Sequence, residues 1–226
     1  MSSYILNIES ATTNCSVSLS KDGETIVLKE DNDKSYSHAE RLHVYIDEVL
    51  KEANINFNEL DAIAVSKGPG SYTGLRIGVS AAKGLCFALD KPLISIPTLD
   101  ALANQLKIDD GVIISMLDAR RMEVYSAIYD SNYKQIRETQ AQILDETSFK
   151  DYLKHQKVYF IGNGVEKTKT LINHPNAIFI EAKLPSANDM SLLAYTKYKI
   201  SNTEDVAYFE PYYLKDFVAL KPKPKS

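Results

Sequence analysis

The residues best placed to do chemistry lie in the glycine-rich stretch Gly68-Pro69-Gly70-Ser71-Tyr72-Thr73-Gly74. The apolar run Ala62-Ile63-Ala64-Val65 before it reads as a buried strand, and a helix is expected after it, to about Leu89. A strand, a glycine loop and a helix in that order turn free N–H groups toward any anion. Two phosphate-binding patterns fail, however. The Walker loop needs Gly-Lys-Ser/Thr, which is absent, and G-x-G-x-x-G wants its third glycine one residue before Gly74. Tight packing, contact with a nucleotide or other anion, and a plain turn all stay open for this loop.

Metal and nucleophile chemistry have a weaker footing. The histidines are His38, His43, His155 and His174. His38 and His43 are five residues apart, about 140° round a helix, whereas a shared metal wants i,i+4 spacing on one face. No metal site is expected; His38 reads as a first-turn residue and His43 as a surface or interface residue. Cys15 and Cys86 stand among apolar or small residues outside any C-x-x-C pair, so they read as buried free thiols suited to a reducing compartment. There is no G-x-S-x-G nucleophile elbow. No catalytic residue is assigned, and Asp118, Arg120 and Glu123 are expected to form an internal ion-pair cluster.

The elements that would position these groups follow from hydrophobic periodicity. Tyr4 to Ile8 is a strand, Glu9 to Asn14 a polar turn, and Cys15, Val17 and Leu19 alternate with serines in a second strand. A third, Thr25 to Leu28, follows the turn at Asp22-Gly23. Ser37-His38-Ala39-Glu40 reads as a capping box opening a helix through Leu42, Ile46, Val49 and Ala53. In the helix after the glycine loop, Ser71 and Thr73 are N-cap candidates. Its interior glycines each cost about 1 kcal/mol relative to alanine, and Gly74, Gly78 and Ala82, four apart, make a bare stripe suited to close packing. Arg76, Ser80 and Lys83 form a polar face, and Leu75, Val79, Cys86 and Leu89 an apolar one. A strand at Leu93 to Ile96 and a helix capped by Thr98, through Leu106, complete this half.

From Val112 the order repeats. Val112 to Leu117, Val124 to Tyr129 and Gln135 to Leu144 are strands, with a helix around Phe149 to Leu153. The strand Val158 to Ile161 then leads through Gly162-Asn163-Gly164 to a helix ending near Asn173. Ala177 to Ile180 is a last strand, and Ser186 caps a last helix through Tyr198. Each half reads βββαβαβα, with boundaries at 1–108 and 109–214 and a flexible basic tail at 215–226. Three meandering strands followed by β-α-β units give a mixed sheet. Two such halves, each ribonuclease-H-like, make the α/β architecture of the actin-like ATPase superfamily. The turn Glu9 to Asn14 then corresponds to Asp118 to Met122, and Gly68-Pro69-Gly70 to Gly162-Asn163-Gly164.

In that superfamily two hairpins, each with an acidic residue and a glycine, close on phosphates and magnesium. Here the first turn lacks glycine and the second carries Arg120 where a phosphate would sit. No intrinsic cofactor is expected. Weak ATP or ADP binding is left open at Glu9, Ser10, Thr12, Gly70, Ser71, Asp118 and Arg120.

The 226 residues are 44% hydrophobic and 25% charged, enough for a full core, and a net charge of −4 argues against autonomous nucleic-acid binding. With no basic leader before Tyr4 and no apolar run long enough to span a bilayer, a soluble cytoplasmic protein without membrane contact is expected.

Several motifs carry a family resemblance. Gly68 to Gly78 closely resembles the G-P-G-S-F/Y-T-G-L-R-I-G signature of the bacterial TsaB (YeaZ) family, and Leu117-Asp118-Ala119-Arg120-Arg121-Met122-Glu123-Val124-Tyr125 its L-D-A-R-x-x-E-V-Y segment. Ser37-His38 with Leu42 and Ile46 is similar to its H-S-x-x-L-x-P-x-I helix, with Val44 at the usual proline. Pro211-Tyr212-Tyr213-Leu214 is similar to its P-x-Y-L-R, with Lys215 for arginine. The match is strongest before Tyr125 and loosens between Ser131 and Thr203.

The resemblance implies a non-catalytic role in making threonylcarbamoyladenosine in tRNA. It implies partnership with the homologous transferase TsaD and the ATPase TsaE, indirect contact with tRNA, and a homodimer when alone. The family was long grouped with M22-type glycoproteases, so a metallopeptidase and an autonomous actin-like ATPase or kinase are the alternatives. The helices starting at His38 and Gly74 are expected to form the partner face, through His38, Leu42, Tyr45, Gly74, Leu75, Gly78 and Ala82. On that reading Gly78→Leu abolishes pairing and leaves the fold largely intact.

Overall fold

The computed structural model describes residues 2–32 and 38–215. Three antiparallel strands, β1 (Tyr4–Glu9), β2 (Cys15–Lys21) and β3 (Glu24–Asp31), lead to α1 (His38–Ala53). Next come β4 (Ala62–Gly68), α2 (Tyr72–Leu89), β5 (Leu93–Pro97) and α3 (Thr98–Ala103). Crossing helices make β4 parallel to β1 and β5 parallel to β4, giving the sheet order β3-β2-β1-β4-β5.

The second half repeats this with β6 (Val112–Asp118), β7 (Glu123–Asp130), β8 (Gln135–Ile143), α4 (Lys150–Leu153), β9 (Val158–Ile161), α5 (Val165–Leu171), β10 (Ala177–Ile180) and α6 (Ser191–Lys199). Its sheet order, β10-β9-β6-β7-β8, is the same connectivity. The expected βββαβαβα order therefore holds in both halves. The loops matched in sequence after β4 and β9 also match in shape: Gly68 has φ +107° and Gly162 φ +111°.

Local sequence explains most element ends. Ser71 caps α2, its Oγ accepting from Gly74 N at 3.3 Å, and Asn54 stops α1 in the left-handed region at φ +55°. Thr98 departs from expectation. It is the first residue of α3 rather than its cap, and its Oγ1 lies 3.3 Å from Ser66 Oγ inside the core. The capping box at Ser37 and the basic tail beyond Lys215 fall outside the described residues.

The cores do not divide where the sequence does. One face of the first sheet is covered by α1 and α2, with Leu42, Val49, Val79 and Cys86 packed on Leu6, Val17 and Ile63. Its other face, Ile5, Ala62, Ala64, Ile94 and Ile96, is covered by Met190 and Ala194, which belong to the second half. Conversely, α3 of the first half places Leu99, Leu102 and Ala103 on Ile113, Leu117, Ala127 and Tyr129 of the second sheet. Phe149, Leu153 and Val165 cover the remaining face of that sheet. The boundary at 108/109 separates the strands, while the last helix of each half is exchanged. Each exchanged helix covers an apolar face of the other half's sheet.

The stripe on α2 is also spoken for. A Cβ on Gly74 would stand 2.1 Å from the carbonyl oxygen of Ser10, and one on Gly78 would stand 2.2 Å from Ser10 Oγ. Ser10 Oγ in turn donates to Gly74 O at 2.9 Å. The glycines admit the chain's own β1–β2 turn, not a partner. Around Gly84 of the same helix there is open space. Gly74→Ala is therefore expected to cost about 2–3 kcal/mol in urea unfolding, because backbone must move. Gly84→Ala should gain up to about 1 kcal/mol from helix propensity alone.

Candidate functional site

Two concavities flank the start of α2. The first is the cleft between the halves, about 560 Å³, with the β1–β2 turn (Ala11 to Thr13) and the α2 start (Gly70 to Thr73) on one side. Asp118, Ala119, Arg120 and Asn163 face them from the second half. Backbone contact builds the floor: Ser71 N donates to Ala11 O at 2.7 Å, and a Cβ on Gly70 would meet that oxygen at 2.5 Å.

A C-terminal strap closes one end of the cleft. Lys83 Nζ donates to Phe209 O at 2.9 Å, and Tyr212 N donates to Lys67 O at 2.7 Å. Tyr213 stacks on Tyr72 with ring centroids 4.9 Å apart and accepts from Arg76 Nε at 3.2 Å. The Arg76 guanidinium lies 4.1 Å from the centre of the Tyr72 ring. Lys215 then crosses to the second half and pairs with Glu123.

The acidic residues at the two matching turns are both engaged inside the protein. Glu9 is fully buried; its Oε1 accepts from Ala11 N at 2.6 Å and from Ser66 Oγ at 2.9 Å. Its Oε2 has no hydrogen-bond partner. Burial pushes the carboxyl up to about 7. Asp118 accepts from Lys167 Nζ at 2.8 Å, and the same ammonium donates to Arg121 O and Glu123 O. The expected Asp118–Arg120–Glu123 cluster is thus replaced by two lysine pairs, Lys167–Asp118 and Lys215–Glu123. Arg120, at φ +68°, gives Asp118 its backbone N–H instead. Of the residues named for weak nucleotide or anion contact, Thr12, Gly70, Ser71, Asp118 and Arg120 line the cleft. Glu9 and Ser10 lie beneath it, in the core.

The second concavity is an apolar groove of about 600 Å³ between α1 and α2, lined by Ala39, His43, Ile46, Ile77, Ser80 and Gly84 among others. On the Arg76–Ser80 side of α2, three positions after Gly84, Phe87 is 87% exposed. The residues named for a partner face lie elsewhere. Leu42, Tyr45, Gly74, Leu75, Gly78 and Ala82 are all buried in the chain's own core, and the His38 side chain is outside what is described. The two helices are those expected, but the open surface is a different face of each. On α2 it includes Arg76 and Ser80, which periodicity assigned to a polar face. The signal in the sequence for this face is Phe87, an aromatic that helical spacing puts on the side of Arg76, Ser80 and Lys83, off the Leu75, Val79, Cys86 and Leu89 stripe.

Burial raises the Cys15 thiol to about 11 and the Cys86 thiol to about 12, so both stay protonated at neutral pH. Among the described residues no three His, Cys, Asp or Glu side chains converge as a metal site, and no helix is long and apolar enough to cross a membrane.

Comparison with known proteins gives consistent relatives. Residues 32–223 match the family model described as TsaD: tRNA N6-adenosine threonylcarbamoyltransferase. The Haemophilus influenzae tRNA threonylcarbamoyladenosine biosynthesis protein TsaB is 30% identical over 97% of this chain and 97% of its own length. The Escherichia coli protein of the same name is 29% identical over 97% and 98%. The solved structure of YeaZ from Pseudomonas aeruginosa superposes with a TM-score of 0.80 at 26% identity, covering 94% of this chain and all of that one.

The buried carboxyl gives a pH signature. Its folded value of about 7 lies above the ordinary 4.5, so its cost to stability begins above pH 4.5 and is complete above about pH 7. Glu9→Gln keeps the acceptor for Ala11 and Ser66 without the charge. Urea unfolding should find the variant about 3 kcal/mol more stable than wild type at pH 8, with the gap closing toward pH 4.5.

Proposed function

The chain belongs to the TsaB (YeaZ) family, and we propose that it acts in threonylcarbamoyladenosine biosynthesis on tRNA as the non-catalytic subunit of a TsaD transferase. The observation that carries this reading is the apolar groove between α1 and α2, flanked by an 87% exposed Phe87. An exposed aromatic beside an apolar concavity marks a place where another protein buries surface. The occupant is the homologous transferase, whose family model this chain itself matches.

The cleft fits an accessory role as well. A nucleotide-hydrolysing relative of this architecture needs a carboxylate presented to phosphate and metal. Here Glu9 is turned into the core and Asp118 is held by Lys167. ATP or ADP contact at the cleft is accordingly weak, and the chemistry belongs to the transferase. TsaE joins the complex, tRNA is reached through it in the cytoplasm, and a second copy of this chain occupies the groove when the transferase is absent.

Reconstitution tests the reading directly, with TsaD, TsaE, threonylcarbamoyl-adenylate and unmodified tRNA. Omitting this protein should lower modified nucleoside at least tenfold. Gly84→Leu fills open space in the groove without touching the core, so its melting temperature should hold while TsaD capture weakens at least tenfold. Gly78→Leu cannot serve, because it collides with Ser10. Wild-type co-elution of Gly84→Leu with TsaD would remove the groove as the docking face.

A further inference from the structure

Apart from the cleft and the groove, a concavity of about 430 Å³ lies where the ends of β2 and β3 meet the segment 181–190 that joins β10 to α6. Its wall is polar and drawn from both halves. Glu30 Oε2 accepts from Asn14 Nδ2 at 3.2 Å and from Ser186 Oγ at 2.7 Å. The other hydrogen of the Asn14 amide goes to Pro185 O at 3.0 Å. Asp189 Oδ2 accepts from Gln105 Nε2 at 2.7 Å, and that amide also donates to Leu184 O at 2.7 Å. The wall thus holds two carboxylate–amide pairs, Glu30 with Asn14 and Asp189 with Gln105.

Donors and acceptors are unequally used. A side-chain amide has two N–H hydrogens, and Asn14 and Gln105 both spend theirs inside the wall. Turned over, either amide would set its oxygen against a carboxylate and a carbonyl, so its orientation is fixed. Asn14 Oδ1 and Gln105 Oε1 then accept from no described residue, although Asn14 is only 7% exposed. A buried acceptor in the wall of a polar pocket calls for a donor. Charge points the same way. Burial, with the Glu30 charge nearby, raises the Asp189 carboxyl above its ordinary value, and Lys183 is the one cationic side chain among the described lining residues. A bare metal ion is a poor match, because no three His, Cys, Asp or Glu side chains gather among the described residues. The matching ligand brings positive charge and N–H donors of its own, on a frame that serves both pairs.

We propose that this pocket binds an aliphatic polyamine, one ammonium taken by Glu30 and Asn14 and another by Asp189 and Gln105. Lys183 lies in the same field and competes with the ligand. Removing its ammonium therefore tightens binding, the reverse of what an anionic ligand would show.

Calorimetric titration of the full-length protein with spermidine, at fixed ionic strength, tests the assignment. Spermidine should saturate a single site that magnesium chloride does not displace. Glu30→Gln and Asp189→Asn, which keep the shape of the wall, should each weaken it at least tenfold, circular dichroism confirming the fold. Lys183→Ala should tighten it severalfold. Glu146→Gln, at an exposed carboxylate outside the pocket, should leave it unchanged. Spermidine that fails to saturate, or that magnesium displaces, overturns the proposal and marks diffuse attraction to a chain of net charge −4. So does an affinity unmoved by Glu30→Gln or Asp189→Asn, one that falls with Glu146→Gln, or one that does not rise with Lys183→Ala.

Discussion

The turn after β1 rests on α2 with nothing but backbone and one hydroxyl between them, and the rest of the molecule is arranged around that contact. Ser10 reaches the helix because Gly74 and Gly78 have no Cβ to meet it. Its hydroxyl donates to Gly74 O, so the approach is polar and directional as well as close. The contact sets the rotation of α2: Leu75, Val79 and Cys86 are buried, while Arg76, Ser80 and Gly84 face outward. It also sets the cleft floor, since the same turn places Ala11 against Gly70 and Ser71 N. Two interior glycines, unfavourable for a helix taken alone, are stabilising here because they admit this packing.

Much of the architecture was legible because it rests on local signals. Alternation in β2, the helical spacing of Leu42, Ile46 and Val49, and the Ser71 cap each follow from neighbouring residues. The repeated element order followed from them. What sequence left undecided was the second party to each long-range contact. A bare stripe announces close approach without saying whether the neighbour is another protein or the chain's own turn, and here it is Ser10. The exchange of α3 and α6 is hidden for the same reason, because an amphipathic helix fits either sheet. The strap was harder still: Tyr212, Tyr213 and Lys215 gain their meaning only from Lys67, Tyr72, Arg76 and Glu123, more than ninety residues away along the chain.

The polar groups show a division of labour between the two concavities. In and under the cleft, the acids at the two equivalent turns are consumed by the fold, one inside the core and one by Lys167. The groove on the other side of α2 keeps apolar surface uncovered. One helix thus holds the chain's own turn on its glycine face. Its open face remains available for association.

The exchange of the last helices has a consequence for how the molecule is made. The inner face of the first sheet, Ile5, Ala62, Ala64, Ile94 and Ile96, waits for Met190 and Ala194. At ribosomal rates the intervening chain takes on the order of ten seconds to appear. During that interval the nascent protein carries an uncovered apolar sheet out of the exit tunnel. The lobe that is synthesised first is therefore the one finished last.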